Sequence, residues 1–139
     1  MSALKFKKSV HGRWSTSSVC FSITHCKDWV AVAVSKEKVG LDLEERCDKL
    51  STASRRFLTE QETLELQSLQ ESETLDDLAK KWTQKESIFK AFGEGGFMPA
   101  RISTDDYDTL TKEIEDGFLL TVATKGKACV RYFEDMEYL

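Results

Sequence analysis

The first third of the chain predicts β-strands from its apolar positions. Residues 17–24 (SSVCFSIT) and 28–35 (DWVAVAVS) are rich in β-branched and aromatic side chains, which is typical of strands. Residues 39–44 (VGLDLE) form a third candidate strand, separated from the second by the short connection KEK. We therefore expect the second and third segments to pair as a hairpin.

The middle of the chain predicts helices. From residue 50 to residue 92, Glu, Gln, Leu, Lys and Ala dominate, with a break near residues 72–75 (SETL). In the second of these helices, Thr74 can cap the N-terminus and Gly93 can end the helix. A stripe of apolar residues at helical spacing marks its buried face: Leu75, Leu78, Trp82, Phe89 and Phe92.

Two further strands are predicted after the glycine-rich segment 93–96, at residues 117–125 (GFLLTVATK) and 128–135 (ACVRYFED). The order of strands, helices and strands predicts an α+β fold in which helices pack on a largely antiparallel sheet. No linker, repeat or low-complexity tract divides the sequence, so we expect a single domain over residues 1–139.

The composition and the net charge argue against several classes of binding partner. The chain has a formal net charge of −4, which argues against general binding to nucleic acid or to a membrane surface. The four cysteines form no CxxC pair and no zinc-like spacing, and the longest apolar run is too short for a membrane span. We expect a cytoplasmic protein with reduced thiols. The basic segment 5–13 (KFKKSVHGR) is either a solvated N-terminal stretch or an anion site.

The candidate chemistry begins with two acids in the third strand. Because successive side chains of a strand point to opposite faces, Asp42 and Glu44 share one face with Gly40. Their carboxylates then stand about 7 Å apart and repel each other unless a positive charge lies between them. The sequence therefore predicts a cation beside this strand.

A third acid, Glu86, lies in or beside the apolar stripe of the second helix. One interpretation is a surface salt bridge to Lys90, which contributes only about 0.2–0.5 kcal/mol. The other is convergence with Asp42 and Glu44, because burying an unpaired carboxylate is costly. Three oxygen ligands without a soft ligand describe a Mg²⁺ site, and Mg²⁺ usually bridges to substrate phosphates. Lys85 and Lys90 suit such a phosphate.

Three blocks of the sequence resemble a known family. They read SITHC at residues 22–26, GLDLE at residues 40–44 and WTQKES at residues 82–87, followed by Lys90. Their order and spacing resemble the 4′-phosphopantetheinyl transferase superfamily. The closer likeness is to the larger subfamily that activates peptide synthetases, whose pattern runs SxSHS, GIDIE and WxxKEAxxK. The resemblance implies a single transferase-like domain of the α+β class.

The resemblance also implies an enzyme whose substrate is coenzyme A. Such enzymes transfer the 4′-phosphopantetheine group of coenzyme A to a serine of an apo acyl or peptidyl carrier protein, for fatty acid, polyketide or nonribosomal peptide biosynthesis. In the family, the acids that match Asp42, Glu44 and Glu86 hold Mg²⁺ on the pyrophosphate. Asp42, Glu86 and Lys90 are therefore the expected catalytic residues.

The same resemblance implies roles for further side chains. The lysine that matches Lys90 lies close to the reacting phosphates and aids the leaving group. Thr24 and His25 match residues that contact a coenzyme A phosphate, and Arg13 stands where the family usually has the sequence GKP. Glu60 or Glu62 is a candidate base for the carrier serine, with a solvated helix face as the alternative. The expected coenzyme A contacts are Arg13, Thr24, His25, Lys85 and Lys90.

The sequence departs from the larger subfamily in length. Those enzymes are built from two similar halves with the site between them, whereas this chain begins its SITHC block at residue 22. Self-association can rebuild such a site, so we expect a homo-oligomer, either a dimer or a trimer, with coenzyme A at or near a subunit interface. The alternatives are a non-catalytic relative that binds coenzyme A or a carrier protein, and a partner subunit of a split transferase.

Overall fold

The structure is a computed structural model that describes residues 7–8, 14–16, 19–126 and 131. Its α-helices in these ranges are α1 (Lys49–Phe57), α2 (Glu60–Gln67) and α3 (Glu71–Phe92), and Pro99–Arg101 and Thr104–Asp106 are short 3₁₀ helices. The strands are β1 (Lys7–Lys8), β2 (Trp14–Ser15), β3 (Cys20–Cys26), β4 (Trp29–Ser35), β5 (Val39–Glu45), β6 (Asp108–Glu115) and β7 (Phe118–Thr124).

The strands form two antiparallel sheets. The first sheet has the order β1-β2-β3-β4 and the second has the order β5-β7-β6. One face of the second sheet packs on the first sheet and its other face packs on the helices, which confirms the predicted α+β class. The core between the sheets joins Val39, Leu41, Leu43, Leu120 and Val122, and the core under the helices joins Leu50, Phe57, Leu58, Leu78, Ala79 and Leu119.

The predicted hairpin between β4 and β5 is wrong. β4 pairs with β3 across a two-residue turn at positions 27 and 28, and β5 pairs with β7. Two backbone N–H groups of β5, those of Leu41 and Leu43, donate instead to the side-chain hydroxyls of Ser22 (3.0 Å) and Thr24 (3.1 Å) in β3. Because side chains satisfy these donors, β3 and β5 lie against each other without a backbone ladder.

The helical region contains three helices rather than two. Its break before α3 falls at residues 68–70, and α3 begins at Glu71 rather than at Thr74. The side chain of Thr74 lies inside the first turn and donates to the carbonyl of Gln70 (3.1 Å). Acids at positions 71 and 73 suit the positive end of the helix dipole. The predicted end is confirmed, since the N–H of Gly93 donates to the carbonyl of Phe89 (2.8 Å).

β7 confirms the strand predicted at residues 117–125. It forms a hairpin with β6, a strand that the sequence analysis did not predict, across Asp116 and Gly117. Gly117 has a φ of +84°, which glycine adopts without strain. The Asp-Gly pair between alternating segments was the signal for this hairpin. The strand predicted at 128–135 lies outside the described residues except for position 131. No helix in the described ranges is long and apolar enough to cross a membrane.

Candidate active site between strand β5 and helix α3

The site exists because helix α3 lies directly on the backbone of β5. A β-carbon built on Gly40 would lie 1.8 Å from the carbonyl oxygen of Ser87 and 2.8 Å from the amide nitrogen of Ala91. No side chain fits at position 40, since real β-carbons do not approach other heavy atoms that closely. The glycine of the GLDLE block therefore lets the strand acids meet the helix.

Asp42 of β5 pairs with Lys90 of α3. The Lys90 ammonium donates to Asp42 Oδ1 at 2.8 Å and to the carbonyl of Leu41 at 3.0 Å. Asp42 is 4% exposed, and burial raises the pKa of its carboxyl group while the Lys90 charge opposes that rise. Its second oxygen, Oδ2, is buried without a hydrogen-bond partner among the described residues. Lys90 is thus a cation bonded to Asp42 of β5, whereas the Mg²⁺ expected beside the strand acids stays a prediction.

Glu44 is held by the tryptophan of the WTQKES block. The indole Nε1 of Trp82 donates to Glu44 Oε1 at 3.2 Å. The Trp82 ring packs edge-on against Phe57 (5.2 Å between centroids) and Phe97 (5.7 Å). Burial, and secondarily the charge of Asp42, raise the pKa of Glu44. The sequence placed Trp82 in the apolar stripe but did not predict this hydrogen bond. The one indication was the residue type, because a buried indole N–H needs an acceptor.

Glu86 completes a group of three acids, which we call the carboxylate cluster: Asp42, Glu44 and Glu86. Burial, followed by the negative charge of Asp42, raises the pKa of Glu86 to about 7, and Lys90 partly opposes this rise. Among the described residues, no hydrogen bond or ion pair reaches the Glu86 carboxylate, and Lys90 pairs with Asp42 rather than with Glu86. Among the described residues, Lys90 is therefore the one cation that forms an ion pair with an acid of this group.

The donor atoms of the carboxylate cluster are of the kind that a hard divalent cation prefers. All three acids offer carboxylate oxygens, and the orphaned Oδ2 of Asp42 is an acceptor in need of a positive partner. However, no three acid, histidine or cysteine side chains of the described ranges stand close enough together to hold a metal ion. The charge of Asp42 acts, after burial, to raise the pKa values of Glu44 and Glu86, but the three side chains do not converge on one point.

Lys85 does not take the place predicted for it at a phosphate. Its side chain is fully buried, and its ammonium contacts Glu62 Oε2 (2.7 Å) and the carbonyls of Pro99 (3.0 Å) and Ile102 (2.7 Å). These three acceptors use all three donors of an ammonium group. Lys85 therefore links α2, α3 and the segment after α3, and we correct its assignment from coenzyme A contact to structural ion pair.

Glu62 is likewise not on a solvated face. It is 5% exposed, and besides binding Lys85 it closes a capping box at the start of α2, where its carboxylate accepts from the N–H of Thr59 (2.8 Å). Glu60 is exposed, as the alternative interpretation predicted. Glu62 therefore has no free oxygen at a surface, and its assignment as a candidate base is corrected.

The remaining predicted contacts of coenzyme A lie in or near β3. Thr24 is buried, with its hydroxyl bonded to the N–H of Leu43 and 3.5 Å from the Lys90 ammonium, so it adjoins the cluster. His25 is exposed, and as the next residue of the strand it points to the opposite face. Arg13 lies outside the described residues. Thr24 is thus the β3 side chain that the structure brings to Asp42 and Lys90.

A sequence profile of the 4′-phosphopantetheinyl transferase superfamily matches residues 38–134 of this chain. The matched range runs from the start of β5 through β7 and contains the whole carboxylate cluster together with Lys90. This match, which covers more than half of the chain, defines a protein of the phosphopantetheinyl transferase class. The chain belongs to the 4′-phosphopantetheinyl transferase superfamily.

Curated relatives carry the same name. A 4′-phosphopantetheinyl transferase of Aneurinibacillus migulanus is 32% identical over 95 residues, which cover 68% of this chain and 40% of that protein. One of Bacillus subtilis is 28% identical over 102 residues, covering 70% and 45%. One of Bacillus pumilus is 26% identical over 131 residues, covering 82% and 56%. The chain therefore spans about half the length of the curated relatives it matches.

Proposed function

We propose that this chain transfers the 4′-phosphopantetheine group of coenzyme A to a serine of an apo acyl or peptidyl carrier protein, in a Mg²⁺-dependent reaction. Membership of the superfamily supports the reaction class. The observation that carries the proposal is the contact between Asp42 and Lys90, since both match the family pattern and Glu44 and Glu86 lie on the same two elements, β5 and α3.

The proposed reaction is a displacement at phosphorus. The carrier serine Oγ forms a bond to the phosphorus that bears the pantetheine arm, and the bond from that phosphorus to the bridging pyrophosphate oxygen breaks. Adenosine 3′,5′-bisphosphate leaves with that oxygen, and the serine proton passes to a base or to solvent. A site for this reaction must bind a pyrophosphate and stabilise negative charge on the leaving oxygen.

The described residues are suited to parts of this task. Lys90 reaches between β5 and α3, and its side chain is 32% exposed, so its ammonium can face both Asp42 and a bound phosphate. Asp42, Glu44 and Glu86 would hold Mg²⁺, which when bound neutralises pyrophosphate charge. Trp82 keeps Glu44 in place through its indole N–H. Thr24 and His25 stay predictions as phosphate contacts, as does Arg13.

We also propose a cytoplasmic location with reduced thiols. Cys20, Cys26 and Cys47 are unpaired in the structure. Cytoplasmic coenzyme A and carrier proteins would be the substrates that such a location supplies.

Intact mass measurement of carrier proteins tests the function. The chain is incubated with coenzyme A, Mg²⁺ and several apo acyl and peptidyl carrier proteins, and we expect at least one carrier to gain the mass of a phosphopantetheine group. Omission of Mg²⁺ with added chelator should abolish the gain. The matched control is the variant Asp105→Ala, which removes an exposed acid outside the cluster and should behave as the wild type.

Other outcomes identify the alternatives. Calorimetric binding of coenzyme A or carrier without any mass gain would support a non-catalytic binding relative. Transfer that begins only when a second chain of the family is added would support a partner subunit of a split transferase. A folded chain that neither binds nor transfers would overturn the proposal.

A further inference from the structure

Strand β4 presents an uninterrupted apolar row to solvent. Val30, Val32 and Val34 are 68%, 57% and 66% exposed, and Ile23 of the neighbouring strand β3, opposite Val32, is 47% exposed. The alternate residues Ala31 and Ala33 face inward and pack against the core between the sheets. Contiguous exposed apolar patches on a folded protein mark a surface that another molecule covers.

The same strand is an edge of its sheet. The order is β1-β2-β3-β4, and within the described ranges no strand pairs with the outer edge of β4. Its register with β3 is continuous over seven pairs without a bulge. Exposed edges are normally protected by lysine, proline or a bulge, because their free N–H and C=O groups recruit other strands. Residues 29–35 (WVAVAVS) contain none of these protections.

We propose that β4 pairs antiparallel with β4 of a second copy of this chain, around a two-fold axis at Val32. In this register, residue i of one copy lies opposite residue 64 − i of the other. Val32 then faces its own counterpart, and Val30 faces Val34 of the second copy. These are cross-strand apolar pairs on one face of a sheet, an arrangement that stabilises strand pairing.

The charges beyond the two ends of the strand favour a second copy as the occupant. In the proposed register Asp28 lies opposite Lys36, and the two-fold axis repeats this opposite-charge pair at the other end. Both residues are exposed, and neither forms an ion pair within the described part of the chain. The neighbouring Lys27 is already bonded to Glu45 (2.5 Å) and is not needed for the pairing. In an isologous interface the same surface of each copy meets its counterpart. The apolar row and the end charges of β4 are each complementary to those of a second β4, so the strand suits such an interface.

With this pairing, the homo-oligomer expected from the sequence is a dimer rather than a trimer. Each copy contributes only one seven-residue strand and its end charges, so the contact is small and the dimer should dissociate on dilution. The carboxylate cluster lies on α3 and β5 rather than on the β4 edge, so the assembly can be tested independently of transfer activity.

Sedimentation velocity over a range of concentrations is the first test. We expect wild-type dimers at about 100 µM that dissociate on dilution. Val32→Lys places two lysines opposite each other at the axis and should raise the dissociation constant about tenfold or more. The matched control is Leu64→Lys, which changes an apolar residue of α2 that is 62% exposed and should leave dimerisation unchanged.

A charge exchange tests the register. Asp28→Lys alone and Lys36→Asp alone each create like-charge pairs at both ends and should weaken the dimer. The double variant restores opposite charges and should recover the wild-type dissociation constant. If the single changes instead weakened the dimer by destabilising each chain, the double variant would not recover the wild-type dissociation constant.

A cysteine at the axis gives a direct geometric readout. Opposed residues of an antiparallel pair have Cα atoms about 4.5–5.5 Å apart, within the range that a disulfide spans. Val32→Cys should therefore form a disulfide-linked dimer under mild oxidation. Val34→Cys, whose counterpart lies about 13 Å away along the strand, should not. A wild-type monomer at about 100 µM, a trimer, or a dimer that Val32→Lys leaves intact would overturn the proposal.

Discussion

Gly40 of β5 lies against Ser87 of α3 so closely that a β-carbon on residue 40 would fall 1.8 Å from the Ser87 carbonyl oxygen. The same β-carbon would fall 2.8 Å from the amide nitrogen of Ala91. Both neighbours are backbone atoms of an intact helix, so neither can rotate out of the way. This approach places Asp42, two residues along the strand, within 2.8 Å of the Lys90 ammonium.

Gly40→Ala should therefore destabilise the fold and separate β5 from α3. We expect the free energy of unfolding to fall by about 3 kcal/mol or more, because the added methyl group overpacks a contact between two backbones. Urea denaturation measures the loss. Gly96→Ala is the control, since a β-carbon there meets no atom within 4 Å and should change stability by about 0.5 kcal/mol or less. Equal stabilities for the two variants would contradict the close approach.

Asp42→Ala should remove the proposed transfer activity while leaving the fold largely intact. The variant takes away a carboxylate of the cluster and the partner of Lys90, but the Lys90 side chain is 32% exposed and can turn to water. We expect the rate of transfer to fall about 100-fold or more, as for loss of a charge-stabilising group at a phosphoryl centre. Glu86→Ala should act in the same direction.

The measurement is the initial rate of carrier modification at saturating Mg²⁺, with far-ultraviolet circular dichroism to confirm folding. Asp105→Ala, which changes an exposed acid elsewhere, should keep the wild-type rate. Turnover of wild-type size in either cluster variant would remove that residue from the proposed site.

Within a single strand or helix, the residues that share a face could be predicted from the sequence. The period of two in a strand put Asp42 and Glu44 on one face, and the period of 3.6 in a helix put Glu86 on the inner stripe. In the structure Glu86 lies near enough to Asp42 and Glu44 for their charges to act on it, but the three acids do not converge on one point. The pairing partner of β5 could not be predicted, because it depends on the Ser22 and Thr24 hydroxyls that meet β5 in space rather than in sequence.

Lys85 and Lys90 of α3 have different partners, a difference that helix geometry predicts. Lys85 and Lys90 were both assigned to phosphate, although residues five apart point about 140° apart around a helix with 3.6 residues per turn. The structure accordingly sends Lys90 to Asp42 and Lys85 to Glu62. That Glu62 is buried was not predictable, because it depends on the carbonyls of Pro99 and Ile102 that close around Lys85.

Lys85→Met should reduce stability rather than the affinity for coenzyme A. It leaves Glu62 buried without its cation, a loss that we expect to cost about 3–5 kcal/mol in the free energy of unfolding. Adding Glu62→Leu should recover part of this loss, because the unpaired charge is then removed as well.

Chemical denaturation gives the stabilities, and Lys80→Met, which changes an exposed lysine of the same helix, is the control. At a temperature where Lys85→Met is folded, its KM for coenzyme A should equal that of the wild type. A raised KM with unchanged stability would return Lys85 to the phosphate site.

The metal-free protein should lose stability as the pH rises from about 4.5 to about 7. An unfolded Glu86 releases its proton near its ordinary pKa of 4.5, whereas the folded protein keeps it until about 7. Between these values the folded state binds more protons than the unfolded state, so the free energy of unfolding falls with pH, by up to about 3 kcal/mol, and then levels off. Burial raises the pKa values of Asp42 and Glu44 as well, and they contribute in the same direction.

Glu86→Gln isolates this effect. Glutamine cannot ionise, so the variant should show a shallower fall with pH and should be more stable than the wild type at pH 8 in the presence of EDTA. Glu60→Gln, which changes an exposed acid of α2, should keep the wild-type slope. If Glu86 is a Mg²⁺ ligand, as proposed, added Mg²⁺ should stabilise the wild type more at pH 8 than at pH 5, because protonation of Glu86 would remove that ligand, and the variant should lose most of that difference. A wild-type slope in Glu86→Gln would show that Glu86 is not the group that titrates in this range, and an equal Mg²⁺ response in both proteins would exclude it as a ligand.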